Sequence, residues 1–241
     1  MEKNNQIKDK PWPAKRTNFD RNLAVVIGID RYENDNIHNL STPVSDAIAL
    51  ANLLENGYGY KPENILRLVD GQATLNGLQT LLTDTLPNQL KPTESDRLIF
   101  YFAGHGLPKN SDEGPTGYLV PQDAQPNQEK SFLPMKEVHD ALSQLHCHHL
   151  LVILDCCFAG TFRWAGSRKL IAQLESIRRE HYDRFIRFPA WQVITSSAHD
   201  QEALDFVKLS EDRRGQVDGK SHSPFALALL EALQDREPDS E

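Results

Sequence analysis

The chain alternates between short, nearly continuous apolar runs and longer stretches whose apolar residues recur at helical spacing. The runs from Leu23 to Ile29, Leu98 to Ala103 and His149 to Leu154 show almost no polar alternation. Strands buried on both faces read this way, because neither face meets water. Ile65 to Val69 and Trp191 to Thr195 are two further strand candidates. Pro43 to Asn56 carries Val44, Ala47, Ile48, Ala51 and Leu54 at helical spacing, and Gly57 and Gly59 offer its stop. Thr74 to Thr85 gathers Leu75, Leu78 and Leu82 on one helical face. Met135 to Leu145 and Pro224 to Leu233 also read as helices, and Gly166 to Tyr182 as partly helical without clear caps. The stretch from Leu107 to Lys130 is rich in Asp, Gly, Pro and Asn and predicts a loop, with only Gly117 to Val120 extended inside it.

Strands alternating with helices predict an α/β sandwich with a mostly parallel central sheet flanked by helices. At 241 residues the chain accommodates one main domain, read here as 21–234, after a polar N-terminal arm (1–20) and before an acidic tail or start of a linker (235–241). A formal charge of −8 argues against a nucleic-acid-binding surface. The basic residues between Arg163 and Arg187 are interspersed with Glu175, Glu180 and Asp183, as on a solvated helix. With neither a membrane-length apolar run nor a signal-like segment, a soluble, cytoplasmic protein is expected. Cys147, Cys156 and Cys157 are too few for a disulfide framework and read as thiols.

In open α/β sheets, chemistry collects beyond the carboxyl ends of the strands. Two apolar runs end on suggestive strings: one on Gly104-His105-Gly106, the other on Asp155-Cys156-Cys157-Phe158-Ala159-Gly160. If the two runs are neighbouring strands, an imidazole meets a thiol at one sheet edge, the arrangement that cysteine nucleophilic catalysis needs. The 52 positions between His105 and Cys157 leave room for an intervening helix. Adjacent cysteines point in opposite directions on a strand, so only one thiol of the pair enters the site; local sequence leaves the choice nearly even. The string His146-Cys147-His148-His149 looks superficially like a metal site, but no second cluster with zinc spacing completes it, and strand-end packing is the simpler reading.

In their order and spacing these residues resemble the caspase-like cysteine peptidases, particularly the metacaspase and bacterial orthocaspase branches. The resemblance spans about Leu23 to Leu233. It rests on Gly28-Ile29, Leu40-Ser-Thr-Pro-Val-Ser-Asp46-Ala47, Tyr101-Phe-Ala-Gly-His-Gly106 and Asp155-Cys-Cys-Phe-Ala-Gly160. It implies a caspase-like three-layer sandwich, with His105 and Cys157 as the catalytic dyad and Cys156 a packing neighbour. Backbone donors at Cys157 and Gly106 would hold the oxyanion. Asp155 and Asp46 would surround a basic P1 side chain and repel an acidic one. The segment from Ser196 to Asp205 would help shape the substrate channel, with Asp200 contributing; His199 reads as a loop histidine. Two departures stand out: Phe158-Ala159 replaces a frequent His-Ser, and Ala103 stands where a serine is common.

The implied activity is endopeptidase cleavage after Arg or Lys of protein or peptide substrates. The chemistry requires no cofactor, and calcium activation, found in many metacaspases, has no clear acidic cluster behind it here. Arg163, Arg168, Lys169, Arg178, Arg179 and Arg213-Arg214 supply basic positions for self-processing. The catalytic domain is expected to be monomeric, with a regulatory or effector domain fused or separate, and with no nucleic-acid or membrane partner. The competing readings are a catalytically silent interaction or signalling domain and a caspase-like peptidase with non-basic specificity. A nucleotide-binding domain is disfavoured, since neither GxxxxGK[ST] nor GxGxxG occurs.

Overall fold

A computed structural model of the protein describes residues 19–111, 114–157, 159, 190–197 and 222–234. Among the described residues, five parallel strands form the central sheet: β1 (Arg21–Gly28), β2 (Ile65–Val69), β3 (Asp96–Ala103), β7 (His149–Asp155) and β8 (Ala190–Thr195). They lie in the order β2-β1-β3-β7-β8. The two runs that carry the candidate chemistry are therefore neighbours, and their parallel register sets Ala103 beside Asp155.

Strand parity assigns the two cores. Leu23, Val25 and Ile27 of β1 and Leu98, Phe100 and Phe102 of β3 enter one cluster; Ala24, Val26 and Tyr101 enter the other. The first face is covered by α2 (Leu75–Thr80), its wider-wound continuation Leu81–Leu90, and α3 (Met135–Ser143). The second face is covered by α1 (Pro43–Tyr58) and α4 (Pro224–Gln234), through Leu50, Leu54 and Leu230. The expected α/β sandwich is therefore present, and α1 ends at Gly59, whose φ of 69° is the left-handed geometry of a helix stop.

Gly28 sets where α1 begins. A side chain there would lie 2.4 Å from the Pro43 carbonyl oxygen, so the end of β1 admits the first turn of α1 only without one. The loop between them is tied down by Asp70, whose Oδ1 accepts from the N–H groups of Asp30 and Arg31.

Two expectations are corrected. The segment after His105 is not a simple loop: β4 (Gly106–Ser111) and β5 (Gly114–Leu119) form an antiparallel hairpin, extended by β6 (Leu133–Pro134) into a second sheet. Its Gly and Pro residues hide a strand pattern that cross-strand hydrogen bonds supply. The helix expected to stop at Thr85 continues to Leu90, with Pro87 inside its wider turns. The partly helical reading at 166–182 and the two terminal segments 1–18 and 235–241 lie outside the described residues.

Candidate active site

His105 lies in the short turn between β3 and β4, held there by backbone groups. The Gly104 N–H donates to the Asp155 carbonyl (3.3 Å), and the Val120 N–H to that of His105 (3.1 Å). The N–H of His105 donates to the hydroxyl of Tyr32 (2.8 Å), whose ring lies 5.0 Å from the imidazole between centroids. Burial holds the Tyr32 phenol protonated. Nε2 of His105 lies 2.7 Å from the main-chain oxygen of His38. A carbonyl only accepts, so Nε2 carries a proton, and in the neutral ring Nδ1 is the nitrogen with the lone pair.

Gly106 brings the imidazole turn to the cysteines. A side chain at this position would lie 2.2 Å from the Cys157 carbonyl oxygen and 3.2 Å from Cys156 Sγ. The residue next to His105 thus lies flat against the cysteine backbone. The turn carrying both thiols is pinned by Ser197, whose hydroxyl donates to the Cys156 carbonyl (2.8 Å) and accepts from the Ala159 N–H (3.2 Å).

The adjacent thiols occupy different environments. Cys156 is 1% exposed and belongs to the first core cluster with Leu154. Burial raises its thiol pKa well above the ordinary value, and the charge of Asp155 adds to that. Such a thiol is inert packing. Cys157 is half-buried. None of the three cysteines is in a disulfide.

Parity also directs the acids. Asp155 follows Ile153 by two residues and therefore faces the α1/α4 side of the sheet, opposite Cys156. There the Ser223 hydroxyl donates to Asp155 Oδ2 (2.5 Å), while the Ser223 N–H donates to Asp46 Oδ2 (3.2 Å). A single residue at the start of α4 links both carboxylates. The other Asp46 oxygen lies 2.5 Å from Nδ1 of His222. Burial pushes the Asp46 pKa up to about 6; the bonds from His222 and Ser223 pull it back, and the nearby charge of Asp155 raises it. The buried hydroxyl of Tyr101, close enough to feel both acids, has no hydrogen-bond partner among the described residues. Asp46 does not cap its own helix: Asp30 Oδ1 takes the Val44 N–H (2.9 Å).

The His105 and Cys157 turns therefore follow adjacent parallel strands, Gly106 lies against the Cys157 backbone, and Ser223 joins Asp46 to Asp155. Asp200, His199 and the basic positions from Arg163 to Arg214 lie outside the described residues. At the other end of the sheet, the rings of His148 and His149 pack at a tilt against each other and against Phe19. Among the described residues no three His, Cys, Asp or Glu side chains are grouped so that they could hold a metal ion.

Sequence reasoning did not single out Tyr32, His38, His222 or Ser223. His38 contributes a backbone oxygen and leaves no side-chain signal. Ser223 before Pro224 is a recognisable helix start, and its hydroxyl does accept from the Ala226 N–H (3.0 Å). Its second task, donating to Asp155, depends on a contact 68 residues away in sequence.

A parallel sheet between helical layers, with an imidazole turn and a cysteine turn at adjacent strand ends, defines a caspase-like architecture. A caspase-domain family model, of the peptidase C14 group, matches residues 21–241, and the chain belongs to that family. It is 27% identical over 158 residues to metacaspase-1 of Saccharomyces cerevisiae, covering 58% of this chain and 34% of that protein. Metacaspase-1 of Candida glabrata is 28% identical over 160 residues, covering 58% and 37%. The chain thus spans about a third of the length of the curated relatives it matches. Among solved structures, caspase-1 from Spodoptera frugiperda superposes with a TM-score of 0.53 at 12% identity, covering 94% of this chain and 74% of that one. A Geobacter sulfurreducens protein superposes with a TM-score of 0.56 at 15% identity, covering 89% and 82%.

Proposed function

We propose that the chain is a cysteine endopeptidase that cleaves protein or peptide substrates after Arg or Lys, with Cys157 as nucleophile and His105 as general base and acid. The observation that carries this reading is the flat approach of Gly106 to the Cys157 carbonyl, which sets the imidazole turn against the thiol turn. With its Nε2 proton directed to His38, His105 offers Nδ1 to the thiol. Cys157 passes its proton to the imidazole and attacks the peptide carbonyl. The N–H groups of Cys157 and Gly106 hold the developing oxyanion, and the imidazolium then protonates the departing amine. Water, deprotonated by the same imidazole, releases the acyl group.

The basic P1 preference is supported by Asp46 and Asp155, joined through Ser223. Two carboxylates favour a cation and repel an acidic side chain. Asp200 is proposed to contribute to the substrate channel, and the basic segment after Cys157 to supply self-cleavage sites. The chemistry needs no cofactor. Among the described residues no helix is long and apolar enough to cross a membrane.

A peptide panel differing only at P1 (Arg, Lys, Asp, Ala), assayed with and without calcium, tests this reading. Arg and Lys peptides should be cleaved by the native chain and by Cys156→Ala, whereas Cys157→Ala should lose about three orders of magnitude or more. Full activity in Cys157→Ala would remove the assigned nucleophile, and equal cleavage after Asp would remove the pocket. Native mass after incubation, set beside Cys157→Ala, reads out self-processing.

A further inference from the structure

We propose that His222 is a specificity-determining residue that stoppers the acidic pocket, so that a basic P1 side chain must displace its imidazole to reach Asp46. This rests on the basic-P1 reading above. The Asp46 side chain is 0% exposed, and both of its oxygens are occupied from the start of α4: Oδ1 by His222 Nδ1 at 2.5 Å, Oδ2 by the Ser223 N–H at 3.2 Å. The His222 ring is 18% exposed, so it forms the solvent-side cover of a carboxylate that is otherwise closed off.

The two contacts differ in kind. Ser223 is fixed by three bonds, to Asp46, to Asp155 and from the Ala226 N–H, and its backbone begins a helix. His222 precedes that helix, and the bond described for its ring is the one to Asp46. Of the two residues covering the carboxylate, the imidazole is the one whose rotation uncovers an oxygen without unwinding α4. Its donor geometry, an N–H aimed at a carboxylate oxygen, is what a guanidinium or ammonium group would reproduce on arrival. A substrate with an apolar or acidic P1 side chain offers no replacement, and displacing His222 would leave a buried carboxylate unpaired. The stopper therefore strengthens discrimination for strongly basic residues. Arg, with its rigid fork of donors, replaces the imidazole more completely than Lys.

The test measures kcat and KM for Arg, Lys and Ala P1 peptides in His222→Ala, His222→Gln and His222→Lys, together with calorimetric binding of agmatine, a guanidinium probe of the pocket. His222→Ala should lower KM for Arg peptides and the agmatine Kd together by about tenfold, the worth of one charge-assisted bond, with kcat within about twofold. The ratio of Arg to Lys cleavage should narrow. His222→Gln, which keeps a neutral donor of similar reach, should fall between native and Ala, and covers the case in which Ala unfolds the chain. His222→Lys, a permanent cation, should raise KM. Unchanged or weaker Arg and agmatine binding in a folded His222→Ala or His222→Gln overturns the stopper, as does agmatine binding to no form. Tighter agmatine binding without Arg or Lys cleavage leaves the stopper standing and overturns the basic-P1 reading instead.

Discussion

Two aspartates with fully buried side chains stand at opposite ends of the same sheet, and their surroundings could hardly differ more. Asp96, at the start of β3, accepts from Arg21 Nε and Nη2 and from both the N–H and the hydroxyl of Thr93. Burial alone would raise its pKa, but these bonds and the guanidinium charge hold it below the ordinary carboxylate value. Asp46, near the carboxyl end of the sheet, has an imidazole, one N–H and a second carboxylate nearby, and burial wins. A carboxylate with four donors and a fixed cation serves the fold. One left under-compensated suits the recognition proposed for Asp46, because a ligand can still supply the missing charge.

The largest expected effect lies at the structural end. Asp96→Ala leaves the Thr93 N–H and part of the Arg21 guanidinium without their acceptor. Since Arg21 is 37% exposed, water recovers some of the loss, and destabilisation of about 2–4 kcal/mol is expected in denaturant or thermal unfolding. Peptide cleavage by the folded fraction should stay within about twofold of native. Loss of activity without loss of stability would dissolve the distinction.

Asp46→Asn should do the reverse. Cleavage of Arg peptides is expected to fall about 100-fold, or about 2.7 kcal/mol, mainly through KM, while Ala-P1 peptides change little. The melting temperature at pH 8 should not drop. A melting loss as large as that of Asp96→Ala would make Asp46 a structural residue as well.

The two acids should also leave opposite marks on stability against pH. Asp46 has a folded pKa of about 6 against an ordinary 3.8, so its contribution is fully present below pH 3.8 and lost as pH rises through 6. Asp96, shifted downward, contributes stability above the unfolded carboxylate range, and that is lost as pH falls through its folded value. Between pH 4 and 7.5 the unfolding free energy of Asp46→Asn should therefore gain on the native chain by on the order of 2 kcal/mol. A constant difference across that range would show that Asp46 does not titrate as described.

The smallest expected effect is at Tyr32. Tyr32→Phe keeps the ring beside His105 and removes only the acceptor of its N–H. A loss of about 1 kcal/mol, roughly fivefold, is expected in kcat rather than KM. A change in KM alone would place Tyr32 in substrate binding instead.

Much of this was legible before folding was considered. The runs that become β1, β3 and β7 are buried on both faces, so they show as unbroken apolar strings, and His105 follows the second of them while Asp155 and the two cysteines close the third. The β4–β5 hairpin was not legible, because Gly106, Pro108, Gly114 and Pro115 read as turn residues until a partner strand supplies the hydrogen bonds. Nor was the division of labour between Cys156 and Cys157 settled by local residues, which left their roles nearly even. Alternation from Ile153 onward sends Asp155 to the α1/α4 face and Cys156 into the opposite core.

By itself, then, the sequence determined the layered α/β class and the strand ends on which an imidazole, two thiols and a carboxylate fall, because hydrophobic runs and turn residues are local properties of the chain. Only the tertiary structure decided which strands are neighbours, that Gly106 lies against Cys157, that a main-chain oxygen of His38 orients His105, and that His222 covers Asp46 from 176 positions away. Those are contacts between distant segments, several made by backbone atoms common to every residue type, and no local pattern encodes them.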